Sequence, residues 1–168
     1  MIKFPQTNRN AKEPTMNSIF TSLIQSDFAT NGHGNFEAVI KVGNDLLHYF
    51  RDNSNNAQQW RFGLTVCKGN VAFPGAIIQS DFRSGDHGNY EVLVPLWMPA
   101  LQHVQLWHFF LDNSDLANRW AKARFPVTDD GDVVTGPASF IQSDFQNDGH
   151  GSLDAVNKQR EFVIVDAA

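Results

Sequence analysis

Three histidines occupy equivalent glycine-rich turns: Gly32-His33-Gly34-Asn35, Asp86-His87-Gly88-Asn89 and Gly149-His150-Gly151-Ser152. A carboxyl side chain precedes each turn (Asp27, Asp81, Asp144), and another follows it (Glu37, Glu91, Asp154). Three kinds of chemistry use such residues. Imidazoles brought together on a pseudo-symmetry axis, with a water, would form a zinc centre. Two carboxyls flanking a glycosidic bond are the machinery of a glycosidase. Asp27, Asn31, Asn35 and Glu37 also offer calcium-type oxygens, but at a spacing that matches no EF-hand. An active site is normally single and asymmetric, whereas this constellation comes in three copies. Repetition fits repeated ligand sites, or a repeated turn that the histidine and carboxyls shape. No catalytic residue, metal or cofactor is therefore expected. The ligand-binding candidates are Gln25, Asp27, His33, Asn35 and Glu37, then Gln79, Asp81, His87, Asn89 and Glu91, and finally Gln142, Asp144 and His150.

Other chemistry-bearing residues point the same way. His48 and His108 each precede an aromatic pair on a strand, where a hydrogen bond within the sheet is their ordinary use. Trp60 and Trp120 open equivalent strands and read as packing between units. Trp97 and Trp107 flank an insertion, and an exposed indole there would stack on the apolar face of a sugar ring. Both therefore join the ligand-binding candidates. Cys67 is the only cysteine, so no intrachain disulfide or multi-cysteine zinc site can form, and its apolar strand does not suit a reactive thiol. No glycine-rich phosphate loop leads from a strand into a helix.

The elements that must position these residues follow from the repeat. Ile24-Gln25-Ser26-Asp27-Phe28 recurs at Ile78–Phe82 and Ile141–Phe145, and Leu47-His48-Tyr49-Phe50 returns as Trp107-His108-Phe109-Phe110. Alternating and Val/Ile-rich segments separated by turn residues predict four strands per unit. The first strand is the Ile-Gln-Ser-Asp-Phe stretch, and the second is Asn35–Val42 or Asn89–Leu96. The third is Leu46–Arg51 or Leu106–Leu111, and the fourth begins at the Trp. Length differences between units fall at Met98–Val104 and Thr128–Thr135, where loops accept insertions. Leu116–Ala123 has a weak helical pattern, but the repeat assigns it to a strand. The third unit has strands at Ser139–Phe145, Leu153–Lys158 and Glu161–Val165, and Ile2–Thr7 resembles the fourth-strand segment Ala123–Thr128. The expected organisation is thus a single repeat domain over 1–168. Residues 1–20 supply a fourth strand and a linker, 21–75 form unit one, 76–136 unit two, and 137–168 a split unit three.

Composition bounds the rest. The 168 residues are 42% hydrophobic and 18% charged with a net charge of −5, enough to bury a core and without the basic face that phosphate backbones require. No nucleic-acid partner is expected. No apolar run approaches a membrane span, and Met1–Asn10 carries no apolar signal core. The expected location is cytoplasmic, or outside the cell without a classical signal.

An all-β chain of three four-stranded units suggests propeller blades, three per chain and six in a ring closed by a homodimer. A threefold β-trefoil or β-prism within one chain is the alternative. The layout Leu47-His48-Tyr49-Phe50 … Trp60 and Trp107-His108-Phe109-Phe110 … Trp120 resembles the blade of bacterial β-propeller lectins of the fucose-binding type, over about residues 21–165. That resemblance implies a carbohydrate-binding protein with glycan partners and several weak sugar sites acting multivalently. A structural or protein-interaction module without a small ligand is the alternative function, ahead of a glycosidase or metal hydrolase.

Overall fold

The structure is a computed structural model that describes residues 21–29, 33–54, 59–82, 87–113, 119–128, 132, 134–146, 151–157 and 160–165. The expected N-terminal fourth strand, Ile2–Thr7, and His150 lie outside the described residues. All described secondary structure is β-strand. Unit one is an antiparallel meander of β1 (Thr21–Ala29), β2 (Gly34–Val42), β3 (Asp45–Arg51) and β4 (Trp60–Cys67). Unit two repeats it with β5 (Ala76–Gln79), β6 (Tyr90–Met98), β7 (His103–Leu111) and β8 (Ala121–Lys122). Unit three contains β9 (Ser139–Gln146), β10 (Gly151–Asn157) and β11 (Arg160–Val165), in the order β11-β10-β9.

Sequence explains the local choices. β2 and β3 meet across Gly43-Asn44, and Gly43 takes the left-handed φ of 59° that this tight turn needs. The insertion of unit two is not confined to a loop: it lengthens the corresponding hairpin by the rungs Trp97↔Val104 and Met98↔His103, beyond the level of Val42↔Asp45, before the turn at residues 99–102. Two strands are shorter than the repeat implies. β5 ends at Gln79, although pairing continues irregularly beyond it: the Ser80 N–H donates to the Asn89 carbonyl, and the Asn89 N–H donates to the Phe82 carbonyl, both at 2.9 Å. β8 is only Ala121–Lys122, since Ala123 and Val127 bond back to the His108 and Leu106 carbonyls as an irregular extension.

The units pack face to face in series. β6 is buried along most of its length because both its faces are covered. Val92 and Val94 join Val39, Leu46, Val66 and Ile77 in the core between units one and two. Leu93 points the other way and joins Phe140, Leu153 and Ala155 between units two and three. This period-two alternation makes one strand serve two cores. Each fully buried aliphatic side chain contributes about 1.5–3 kcal/mol by leaving water, so the units hold together mainly through these paired faces. The first strands lie side by side, β1 against β5 and β5 against β9.

Candidate functional site

Two kinds of polar assembly are built on this frame, and the first joins consecutive units. The Asp27 N–H donates to Gln79 Oε1 at 2.7 Å, and Gln79 Nε2 donates back to Asp27 Oδ1 at 2.6 Å. His87 Nδ1 meets the same Oδ1 at 3.0 Å, and the Gly88 N–H donates to Oδ2 at 3.2 Å. The His87 ring stacks on Phe28, with centroids 3.9 Å apart. The next junction repeats the pattern: the Asp81 N–H donates to Gln142 Oε1 at 2.8 Å, and Gln142 Nε2 donates to the Asp81 carboxyl. Gln-Ser-Asp-Phe is thus a two-sided latch. Its Gln grips the preceding unit, and its Asp is gripped by the following one.

The second assembly lies inside units one and two. Glu37 accepts from Ser26 Oγ at 3.2 Å and pairs with His48 Nε2 at 2.9 Å. Glu91 accepts from Ser80 Oγ at 2.9 Å and pairs with His108 Nε2 at 2.6 Å. All six side chains are buried, as such groups are when their hydrogen-bonding capacity is met. The carboxyl stands between hydroxyl and imidazole, so each serine is bonded to the carboxyl and not to the imidazole. A nucleophilic triad requires the imidazole in the middle. In unit three Asp154 takes the place of Glu37, and the strand Arg160–Val165 contains no histidine to match His48, so this network is described in the first two units.

Unit one's network is also the floor of a cleft against unit two, about 550 Å³ in volume. Phe28, Phe50, Phe62, Leu64 and Tyr90 give it apolar walls, and Asn35, Glu37, His48 and Asn113 bring polar groups to it. Tyr90 reaches across from unit two, its hydroxyl hydrogen-bonded with Ser26 and Glu37; burial pushes the phenol well above its ordinary pKa, and the Glu37 charge adds to this. It therefore stays a neutral O–H group. His48 is engaged at Nε2 only. Its buried Nδ1 has no protein partner and lies beside Gly63, where a Cβ would stand 2.8 Å from that nitrogen. With Nε2 bonded to Glu37, Nδ1 is the ring atom left without a protein hydrogen bond, buried beside Gly63.

The sequence candidates divide accordingly. Asp27, Gln79, His87, Asp81 and Gln142 come together in the latch. Glu37 and Glu91 are buried in the networks, and Glu37 also lines the cleft. Asn35 and Asn89 accept from the Asn53 and Asn113 N–H groups at 3.3 and 3.4 Å, and Asn35 also lines the cleft. His33 is exposed, Gln25 bonds only its own unit's Gly34 carbonyl, and the Asp144 side chain and His150 lie outside the described residues. Trp97 is partly exposed, but at the opposite end of β6 from Tyr90. Trp107 has one ring face covered by Lys122 Nζ, 3.2 Å from its centroid. Trp120 packs on the core between units one and two, edge-on to His48 at 5.9 Å.

Phe62, Gly63 and Tyr90 escaped the sequence reading because it weighted what the repeats share. The signal lay in their differences. Aligned units have Lys122 and Ala123 opposite Phe62 and Gly63, and Phe36 and Leu153 opposite Tyr90. Among the described residues no three His, Cys, Asp or Glu side chains converge as a metal site would require. Cys67, half-buried at the end of β4, has its thiol pKa raised by burial. Comparison with known protein families, with characterised proteins and with solved structures finds no match.

Proposed function

We propose that this chain is a non-enzymatic carbohydrate-binding protein that seats a sugar in the cleft between its first two units. The observation that carries this reading is His48. A buried imidazole nitrogen without a protein partner, on a side chain that lines the cleft, is a polar group whose hydrogen-bonding capacity a ligand hydroxyl would complete. The Asn35 and Asn113 side chains line the same cleft, and the exposed ring of Phe62 offers a platform for the C–H face of a sugar. Apolar walls with a few convergent polar groups are the usual make-up of a small-molecule site. Among the described residues Glu37 is the one carboxyl lining the cleft, whereas glycoside hydrolysis needs two flanking the bond. Glycan-coated surfaces are the partners this implies. Presenting one cleft on every copy of an assembly would multiply a weak affinity through effective concentration.

The same reading takes each sheet as a propeller blade with its first strand innermost. Ile24, Gln25, Ile78, Gln79, Ile141 and Gln142 support it, because all line one open groove of about 720 Å³. The second reading, a protein-interaction module without a small ligand, is favoured by the engagement of Asp27, Gln79 and His87 in unit-to-unit bonds. A glycan array separates the two. Discrete hits that vanish in Phe62→Ala support the lectin, and a blank array with folded protein favours the module.

A further inference from the structure

We infer that the first unit's outer edge is a docking site for the third unit of a second copy of this chain, joined head to tail by a further latch of the kind seen at Asp27–Gln79. The latch already occurs at both internal junctions. At each one the later unit supplies a Gln whose Oε1 accepts the earlier unit's Asp N–H. Gln25 is the same residue in unit one. Its Nε2 bonds the Gly34 carbonyl at 3.4 Å, as Gln79 Nε2 bonds Gly88 at 3.0 Å, while neither of the described corners, Asp27-Phe28 and Asp81-Phe82, is hydrogen-bonded to it. His33, the counterpart of the latch histidine His87, is exposed on the same edge.

Apolar burial gives an independent argument. Positions 23, 77 and 140 are equivalent. Ile77 is 2% exposed against unit one and Phe140 6% against unit two, but Leu23 is 50% exposed. Positions 24, 78 and 141 face the following unit. Ile24 and Ile78 pack on the cores at the two junctions, whereas Ile141 is 58% exposed. One uncovered apolar residue therefore lies at each end of the series, on faces that are complementary wherever two units of this chain already meet. Asp144-Phe145, by sequence the counterpart of Asp27-Phe28, is the corner that unit three brings. A heterologous contact of this kind closes into a ring when the rotation allows. Two copies supply six units, within the usual range of a propeller ring.

The test is the solution mass of the full chain by light scattering, which does not depend on any sugar. Two chains per particle are expected. Leu23→Asp and Ile141→Asp change residues that are exposed within the chain, so each should stay folded by circular dichroism and weaken self-association at least about tenfold. Mixing the two variants restores one intact junction, an unblocked Leu23 edge on an unblocked Ile141 face, and dimers reappear. A monomeric wild type at high concentration overturns the proposal. So does a dimer that neither variant weakens, or variants that fail to complement when mixed, since that marks an isologous contact elsewhere.

Discussion

His87 of the second unit holds Asp27 of the first, with Nδ1 3.0 Å from Oδ1, while its ring lies against Phe28. One side chain thus joins two sheets through a polar and an aromatic contact at once. Because Asp27 and His87 are each more than a third exposed, solvent screens the pair. The latch therefore selects the register of packing more than it supplies stability. Asp27→Ala should cost about 1 kcal/mol in urea unfolding. The double variant with Gln79→Ala should cost less than the sum of the two singles by at least about 0.5 kcal/mol. Strict additivity would mean that the two residues are not energetically linked.

Glu37 and Glu91 sit in a different regime. Each is buried and accepts from a serine and a histidine, so truncation strands those partners away from water. Glu37→Ala and Glu91→Ala should each destabilise by about 3 kcal/mol or more. Asp154→Asn, at the equivalent half-buried position of unit three, should change stability by less than about 1 kcal/mol. Equal losses at all three positions would refute the division between networked and plain units.

Two glycines give a graded contrast. A Cβ at Gly88 would overlap the Ser80 carbonyl oxygen, backbone against backbone, so Gly88→Ala should remove more than about 3 kcal/mol or prevent folding. At Gly63 the obstacle is the His48 ring alone, and unit two has Ala123 there. Gly63→Ala should cost about 1 kcal/mol or somewhat more while pressing a methyl against Nδ1. Thermal melts of the two variants check the ordering.

Tyr90 sets an alkaline limit. Its folded phenol pKa lies above the ordinary value of 10.0, with burial as the main cause. The stability tied to its neutral form is fully present below pH 10 and declines as pH rises above it, because the unfolded phenol ionises first. Tyr90→Phe should lose the hydrogen bonds to Ser26 and Glu37 at neutral pH and show a shallower fall above pH 10. Urea midpoints across that range decide it. An identical slope in both proteins would show that Tyr90 does not control it.

The all-β class, the unit pattern and most strand boundaries were legible because Ile-Gln-Ser-Asp-Phe and the Gly-His-Gly turns repeat, and a strand's side chains alternate with a period of two. Gln25 and Asp27 could be placed on one face from that period alone. That Asp27 would meet Gln79 and His87 could not, since their pairing depends on how one sheet lies on the next. The truncation of β8 was hidden for a similar reason, as Ala123 and Val127 follow β7 without forming a regular ladder. The cleft was the least legible feature. It rests on Phe62, Gly63 and Tyr90, where the units depart from one another, and repetition draws the eye to what they share.

The central claim is a sugar seated against His48 Nδ1 in the first cleft, and calorimetric titration of wild type and Gly63→Ala with the strongest glycan-array hit tests it most directly. One site per chain is expected in the wild type, and at least about tenfold weaker binding in a folded Gly63→Ala, roughly the 1.4 kcal/mol of one hydrogen bond. Undiminished affinity in that variant, or three equal sites per chain, would contradict it.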